Sequence, residues 1–121
     1  MRRAIRGVFV SAAVLVATEV QAEPASSLRD LGSQYEACTR LKSAPPGTEG
    51  SWVRVRFSVR RDGSLFGHPR IDDSRLVGDA DAQRTFREAA VAEFARCFPL
   101  QITEAFGGAV AGKILRARVS G

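Results

Sequence analysis

The chain has 121 residues and a formal net charge of +5, from 18 basic and 13 acidic side chains. This length suits one domain and excludes a large multidomain protein. The positive charge is too small to indicate nucleic-acid binding by itself.

The first 22 residues have the pattern of a secretory signal peptide. Residues 1–6 form a short basic start with three arginines, and Gly7–Thr18 is an apolar run. Val20-Gln21-Ala22 then offers small side chains at the two positions that a signal peptidase reads. The apolar run is shorter than the ~20 residues of a spanning helix, and an uncleaved anchor is the alternative. Cleavage would remove three arginines and one glutamate, leaving a net charge of +3. We therefore predict a periplasmic product that spans no membrane and meets no nucleic acid.

A short polar lead, residues 23–27, precedes the domain predicted over residues 28–121. Ser27 and Asp30 resemble a capping box, and apolar residues then recur at helical spacing. That stripe consists of Leu28, Leu31, Tyr35, Cys38 and Leu41. The first helix is predicted to end before Pro45, because the residue before a proline is disfavoured in the α conformation.

A β-hairpin is the central prediction. Val53, Val55, Phe57 and Val59 alternate with Arg54, Arg56, Ser58 and Arg60, which predicts a strand with one apolar and one charged face. Asp62-Gly63 favours a type I′ turn, and a second strand is predicted over Ser64–Ile71. Since Pro69 has no N–H for a ladder, the second strand should be an edge strand.

The remaining chain predicts a helix and a final strand. Residues 72–81 are predicted as a loop in which Asp79 or Asp81 caps a helix over Gln83–Cys97. Its apolar stripe consists of Phe86, Ala90, Phe94 and Cys97. Leu100–Gly112 is predicted as a loop. Lys113–Val119 is predicted as a third strand, with Leu115, Ala117 and Val119 on one side.

The element order α-β-β-α-β predicts a two-layer α+β fold. Both helices would cover the apolar face of a three-stranded antiparallel sheet. If Pro69 keeps the second strand at an edge, the third strand pairs with the other side of the first. The predicted order is therefore second, first, third, and the third strand is the other free edge.

Cys38 and Cys97 lie on the apolar stripes of two helices that cover the same sheet face. This placement favours a disulfide over two buried free thiols, and the closed loop would stabilise the fold by about 4 kcal/mol. An oxidised pair leaves His68, the one histidine, without a thiolate partner or a zinc ligand set. We therefore predict no catalysis, metal or cofactor.

From about Leu28 to Val119 the sequence resembles the C-terminal periplasmic domain of the TonB/TolA superfamily. The matching features are the Cys38 helix, the alternating strand 53–59, Asp62-Gly63-Ser64-Leu65, Pro69, Ile71 and Ser74, the Phe86 and Ala89-Ala90 helix, and Arg96-Cys97-Phe98-Pro99. The two paired cysteines make the resemblance stronger to TolA-like members than to TonB itself. Energy-transducing members of the superfamily carry a membrane anchor and a long spacer before this domain, and we expect neither in this chain. Near the last strand, where the resemblance implies an aromatic cluster, this sequence has Phe106-Gly107-Gly108. The resemblance implies a free-standing interaction module of the cell envelope.

Two surfaces are predicted to bind partners. TolA-like domains expose a strand edge to envelope proteins, and here the edge would be Lys113, Ile114, Leu115, Arg116, Ala117, Arg118 and Val119. A covering loop over 100–112 or a dimer would close this edge. The outward arginines Arg54, Arg56, Arg60, Arg116 and Arg118 form either a solvated face or a patch that binds an anionic partner, namely lipopolysaccharide or another anionic glycan, acidic lipid or an acidic protein segment. A small periplasmic enzyme or enzyme inhibitor is the other alternative, indicated if a pocket gathers His68 with acidic side chains.

Overall fold

The computed structural model describes residue 7 and residues 23–121, so the predicted signal peptide lies outside the described residues except for residue 7. The elements are α1 (Leu28–Tyr35) with a 3₁₀ turn (Glu36–Cys38), β1 (Trp52–Phe57), β2 (Arg70–Arg75), α2 (Ala80–Ala95), α3 (Glu104–Val110) and β3 (Leu115–Ser120). Within the described part of the chain, no helix is long and apolar enough to cross a membrane.

The three strands form one antiparallel sheet in the order β2-β1-β3. Alternation along β1 places Val53, Val55 and Phe57 in the core, whereas Arg54 and Arg56 lie on the opposite face. The α+β architecture and the strand order are therefore confirmed. Both β2 and β3 are edge strands.

The main core lies between the inner face of the sheet and α2. Phe86 and Phe94 of this helix are fully buried, and the Phe94 ring meets Phe57 edge-to-face at a centroid distance of 4.9 Å. Asp79 is the N-cap, because its Oδ1 accepts the N–H of Ala82 at 2.8 Å. The helix ends at Ala95, two residues before the predicted end.

A second cluster joins Ala25, Leu31 and Leu100. The Ala25 N–H donates to the Gln101 carbonyl at 2.7 Å, and the Ala25 carbonyl accepts the Thr103 N–H at 3.0 Å. Ala25 is fully buried. The expected boundary at residue 28 therefore falls inside packed structure, because part of the polar lead pairs with residues 101–103.

The first helix is shorter than predicted. It ends at Tyr35 and continues as a 3₁₀ turn to Cys38 instead of reaching Leu41. The chain straightens because the Leu41 N–H donates to the Ser120 carbonyl at 2.8 Å and the Ser120 N–H donates to the Thr39 carbonyl at 2.9 Å. The predicted disulfide between Cys38 and Cys97 is present.

The hairpin turn is not of type I′. That type requires positive φ at two adjacent residues, whereas Gly63, with φ 87°, is followed and preceded by residues with negative φ. The Gly63 N–H donates to the Arg60 carbonyl, and the Arg60 N–H donates to the Ser64 carbonyl. This pattern is a three-residue loop that ends on a left-handed glycine.

The second strand also differs from the prediction over Ser64–Ile71. Val59 and Leu65 form only an isolated bridge, and the regular strand begins at Arg70 and continues to Arg75. Four residues predicted as loop, 72–75, are therefore strand. In the pairing with β1, Arg54 faces Asp73 and Val55 faces Ile71. Asp72 is thus an extra residue, which makes a β-bulge.

The segment 100–112, predicted as a loop, contains α3. Thr103 caps this helix, since its Oγ1 accepts the Phe106 N–H at 3.2 Å. Two glycines lower its helix propensity, which is why the sequence favours a loop. Gly107 is required by packing, because a Cβ at this position would overlap the carbonyl oxygen of Arg61.

Candidate functional site

The edge of β3 carries main-chain groups that are open to a binding partner. In an antiparallel pair, the main-chain groups of alternate residues point towards the neighbouring strand or away from it. Ser120 points away from β1, because its N–H and C=O bond Thr39 and Leu41. Arg116 and Arg118 are in phase with Ser120. Their N–H and C=O groups therefore point outwards, and no residue of 23–121 bonds them.

The structure narrows the predicted edge. Lys113 and Ile114 precede the strand, and the Lys113 carbonyl accepts the Ser58 hydroxyl at 2.9 Å. The main-chain groups of Leu115, Ala117 and Val119 point towards β1, which follows from their register. At the far end of β3, the outward main-chain groups of Ser120 are already hydrogen-bonded to residues 39–41. The open part is therefore the stretch Arg116–Arg118.

An apolar cleft flanks the beginning of this edge. Two adjoining hollows of about 280 Å³ and 290 Å³ share Leu28, Ile114 and Leu115. Leu28 is 60% exposed and Ile114 is 58% exposed, although both are large apolar side chains. Leu31 and Tyr35 of α1 form the wall of the first hollow. A strand added to β3 would therefore meet an apolar surface on the α1 side of the sheet.

The predicted arginine patch is partly neutralised. Arg54 Nε donates to Asp72 Oδ1 at 2.7 Å and Arg116 Nε donates to Asp72 Oδ2 at 3.0 Å. One carboxylate of β2 thus bridges side chains of β1 and β3. These hydrogen bonds, first that of Arg54 and then that of Arg116, hold the pKa of Asp72 below its usual range. The residue that forms both ion pairs, Asp72, is also the extra residue of the β-bulge in β2.

The other three arginines of the predicted patch lie apart from this bridge. The Arg118 guanidinium lies over the Trp52 ring at 3.9 Å from its centroid, and that of Arg60 lies 5.7 Å from the Phe66 ring. Arg56 is exposed. Within 23–121, none of the three forms a salt bridge. Arg118 is therefore a cation at the open edge that contacts Trp52 and pairs with no carboxylate of the described part of the chain.

His68 is exposed and borders a groove of about 560 Å³ between β2 and α2. Glu88 also borders this groove, whose other lining residues include the apolar Ile71 and Val91. Among the described residues, no group of three or more His, Cys, Asp or Glu side chains could hold a metal ion. The groove combines one histidine, one carboxylate and the guanidinium of Arg87 on an open surface.

We expect Asp72→Asn to destabilise the protein at neutral pH and to have little effect in acid. Folding depresses the Asp72 pKa below its ordinary 3.8. Its contribution is therefore fully present above that value and is lost as the pH falls through the depressed folded pKa. Urea unfolding of both proteins between about pH 7 and about pH 2.5 measures the difference in unfolding free energy.

Asp81→Asn is the control for this pH series. The Asp81 carboxylate pairs with Arg84 on α2, and the Asp81 side chain is 86% exposed. Loss of this surface ion pair should therefore change the stability little. A stability difference between Asp72→Asn and the native protein that stays constant down to the lowest pH would contradict the ionic bridge.

Asp72, Leu28 and the segment 39–41 are site features that sequence reasoning missed. The pattern around Asp72 indicated a loop, and nothing local marks the bulge. Leu28 did carry a signal, because it is an apolar residue in the first turn of a helix. Ile114 was predicted as part of the edge but lies beside it.

The protein-family model described as Uncharacterised conserved protein UCP034077 matches residues 21–121. No curated protein and no solved structure matches the chain. The family match covers all the elements described above. The resemblance to the TonB/TolA superfamily stays a prediction that these comparisons do not test.

Proposed function

The chain belongs to the family described as Uncharacterised conserved protein UCP034077, and we propose that it acts as a periplasmic interaction module for proteins of the cell envelope. An extended segment of the partner would add to β3 as a further strand, through main-chain hydrogen bonds. The observation that carries this proposal is the outward-pointing main-chain N–H and C=O groups of Arg116 and Arg118.

The two sheet edges are not equivalent. β2 follows Pro69 and is interrupted by the bulge at Asp72, and both features hinder the pairing of a further strand. β3 pairs with β1 over six consecutive residues without a register shift. A regular edge presents its free groups at the spacing that an extended peptide needs. This difference supports β3 as the docking edge.

Main-chain bonds alone give a weak complex. Arg116 and Arg118 offer four groups, and a net value of about 1 kcal/mol for each hydrogen bond does not clearly exceed the cost of association. The apolar cleft at Leu28, Ile114 and Leu115 can supply the rest, since each buried apolar side chain contributes about 2 kcal/mol. We therefore propose that the partner also inserts an apolar side chain beside the edge.

The periplasmic location is supported by the signal pattern in residues 1–22 and by the Cys38–Cys97 disulfide. Disulfides form and persist in oxidising compartments and are rare in the cytosol. An envelope location would bring the open edge to proteins of that compartment, as the resemblance to TolA-like domains implies.

The alternative functions have weaker support. Catalysis would depend on His68 and Glu88, which border an open and mainly apolar groove together with Arg87. One histidine beside a single carboxylate on such a surface is a weak basis for acid–base chemistry. A binder of anionic lipid or glycan would need the whole arginine face, but Asp72 already holds Arg54 and Arg116. We therefore propose strand addition at the β3 edge in preference to catalysis and to lipid or glycan binding.

Arg118→Pro should abolish peptide binding while the fold is retained. The Arg118 N–H points away from β1, so proline removes a donor for the docking strand without breaking the ladder. The ligands are peptides selected on the full chain from a displayed random library, with affinities measured by calorimetry. Proline at Leu115 or Ala117 would break ladder bonds and test folding instead.

Ser74→Pro is the control on the other edge, because the register places the Ser74 N–H on the outward side of β2, where it donates to Asp73 Oδ1 of the neighbouring residue at 2.9 Å and to no other strand. This variant should bind the selected peptides like the native chain. Bound peptide should also slow amide hydrogen exchange at Arg116 and Arg118. Native affinity in folded Arg118→Pro, or unchanged exchange at these two amides, would refute the edge proposal.

A further inference from the structure

We infer that the strand accepted by β3 carries acidic side chains on one face and apolar side chains on the other. This inference rests on the proposed function and specifies its partner. Side chains of an added strand alternate between the two faces of the sheet. One set would lie beside the arginines of the outer face, and the other would lie beside the cleft at Leu28.

The outer face at this edge is cationic. Arg118 is exposed and forms no salt bridge within residues 23–121, and stacking on Trp52 holds its guanidinium near the edge. Arg116 shares Asp72 with Arg54, so this group of two arginines keeps a net positive charge. Exposed Arg40 lies beside Ser120 at the closed end of the edge. Opposite charges on neighbouring strands attract, and like charges repel.

The same charges argue against a second copy of the chain as the occupant. Pairing two β3 edges about a twofold axis would bring Arg116 and Arg118 of both copies together on one face. Like charges directly opposite each other in a sheet are destabilising. A strand with glutamate or aspartate at alternate positions would place opposite charges there instead. The occupant is therefore a partner with acidic residues on this face.

The inner side of the edge selects apolar side chains. The two hollows at the cleft share Leu28, Ile114 and Leu115, while Arg116 lines only the first hollow and Lys113 only the second. Burying an apolar side chain against the three shared apolar residues is favourable, and burying a charge against them is costly. Successive residues of a docked strand therefore face a cationic surface and an apolar surface in turn. Strict alternation of acidic and apolar residues satisfies both.

Three synthetic peptides of about eight residues, within the usual length of a strand, test the inference on the full chain. The first alternates glutamate with valine, the second alternates lysine with valine, and the third has the composition of the first with its glutamates grouped together. We expect the first to bind at least about tenfold more tightly than the second. The third should bind more weakly than the first, and added salt should weaken the first.

Charge reversal at the edge supplies the matched variants. Arg118→Glu should weaken binding of the glutamate peptide about fivefold and strengthen binding of the lysine peptide. Arg75→Glu makes the same charge change at an exposed residue of β2 and should leave both affinities unchanged. Fluorescence anisotropy measures all the affinities.

Equal affinity for the glutamate and lysine peptides would overturn the inference, and so would equal effects of Arg118→Glu and Arg75→Glu. In either case the edge proposal survives if library peptides protect the Arg116 and Arg118 amides. Tight binding of the grouped peptide, or formation of dimers through β3, would also overturn it. Failure of every peptide to protect these amides would refute both proposals.

Discussion

Replacing Cys38 and Cys97 together by alanine should lower the free energy of unfolding by about 4 kcal/mol. The two cysteines are 59 residues apart in sequence, and closing a loop of that length reduces the entropy of the unfolded chain by this amount. Small domains have total stabilities of about 5–15 kcal/mol. The loss is therefore a large fraction of the whole, and guanidinium unfolding followed by circular dichroism measures it.

The disulfide also holds α1 against the rest of the domain. This helix has eight residues, and isolated helices of that length are not stable in water. Within it, Leu31 is the buried residue, and the bond at Cys38 ties the following turn to Cys97, at a Cα–Cα distance of 6.1 Å. Loss of the bond should therefore loosen the Leu28 wall of the cleft and weaken peptide binding.

The native chain unfolded with and without a reductant is the internal control for the double variant. Reduction and double substitution should destabilise the chain by similar amounts, because both remove the same constraint. A loss below about 1 kcal/mol in both cases, which is the size of an ordinary single substitution, would contradict the structural role of this bond.

Local periodicity was enough to predict the central elements. The alternation Val53, Val55 and Phe57 marks β1, and the spacing of Phe86 and Phe94 marks α2, because burial on one face repeats every two or about 3.6 residues. The sheet order followed from Pro69, whose missing N–H excludes a central strand. These features depend on residues that are close in sequence.

The missed features depend on contacts between distant residues. α3 was hidden because Gly107 lowers helix propensity, yet this glycine allows close approach of Arg61. The first helix ends early because residues 39–41 bond Ser120. The bulge at Asp72 appears only when β2 is aligned with β1. No pattern within a short window of sequence contains these partners.

The candidate site was predicted in outline and then refined by register. The sequence indicated that β3 is a free edge, but which main-chain groups point outwards depends on its alignment with β1. That alignment selects Arg116 and Arg118 and excludes Ala117. The arginine face was predicted as one surface, whereas its pairing with Asp72 divides it. Among residues 23–121, Arg118 therefore combines outward-pointing main-chain groups that have no partner with a guanidinium that forms no salt bridge.

Gly63→Ala should have the second large effect and lower the free energy of unfolding by about 3–5 kcal/mol. Gly63 has φ 87°, which is unfavourable for alanine, and a Cβ would overlap the carbonyl oxygen of Leu100. The Gly63 carbonyl also accepts the Leu100 N–H at 2.9 Å. Since both contacts are with main chain, the clash can be relieved only by moving the hairpin turn away from Leu100.

Gly67→Ala separates the two causes of this loss. Gly67 has φ 76° and open space where its Cβ would lie, so alanine there should cost only the left-handed conformation, about 1–2 kcal/mol. Gly107→Ala tests the clash without a positive φ, because its Cβ would overlap the Arg61 carbonyl on the same turn, and the higher helix propensity of alanine offsets that loss by about 1 kcal/mol. Urea unfolding compares the three variants. Equal losses for Gly63→Ala and Gly67→Ala would show that the turn is not held between Leu100 and α3.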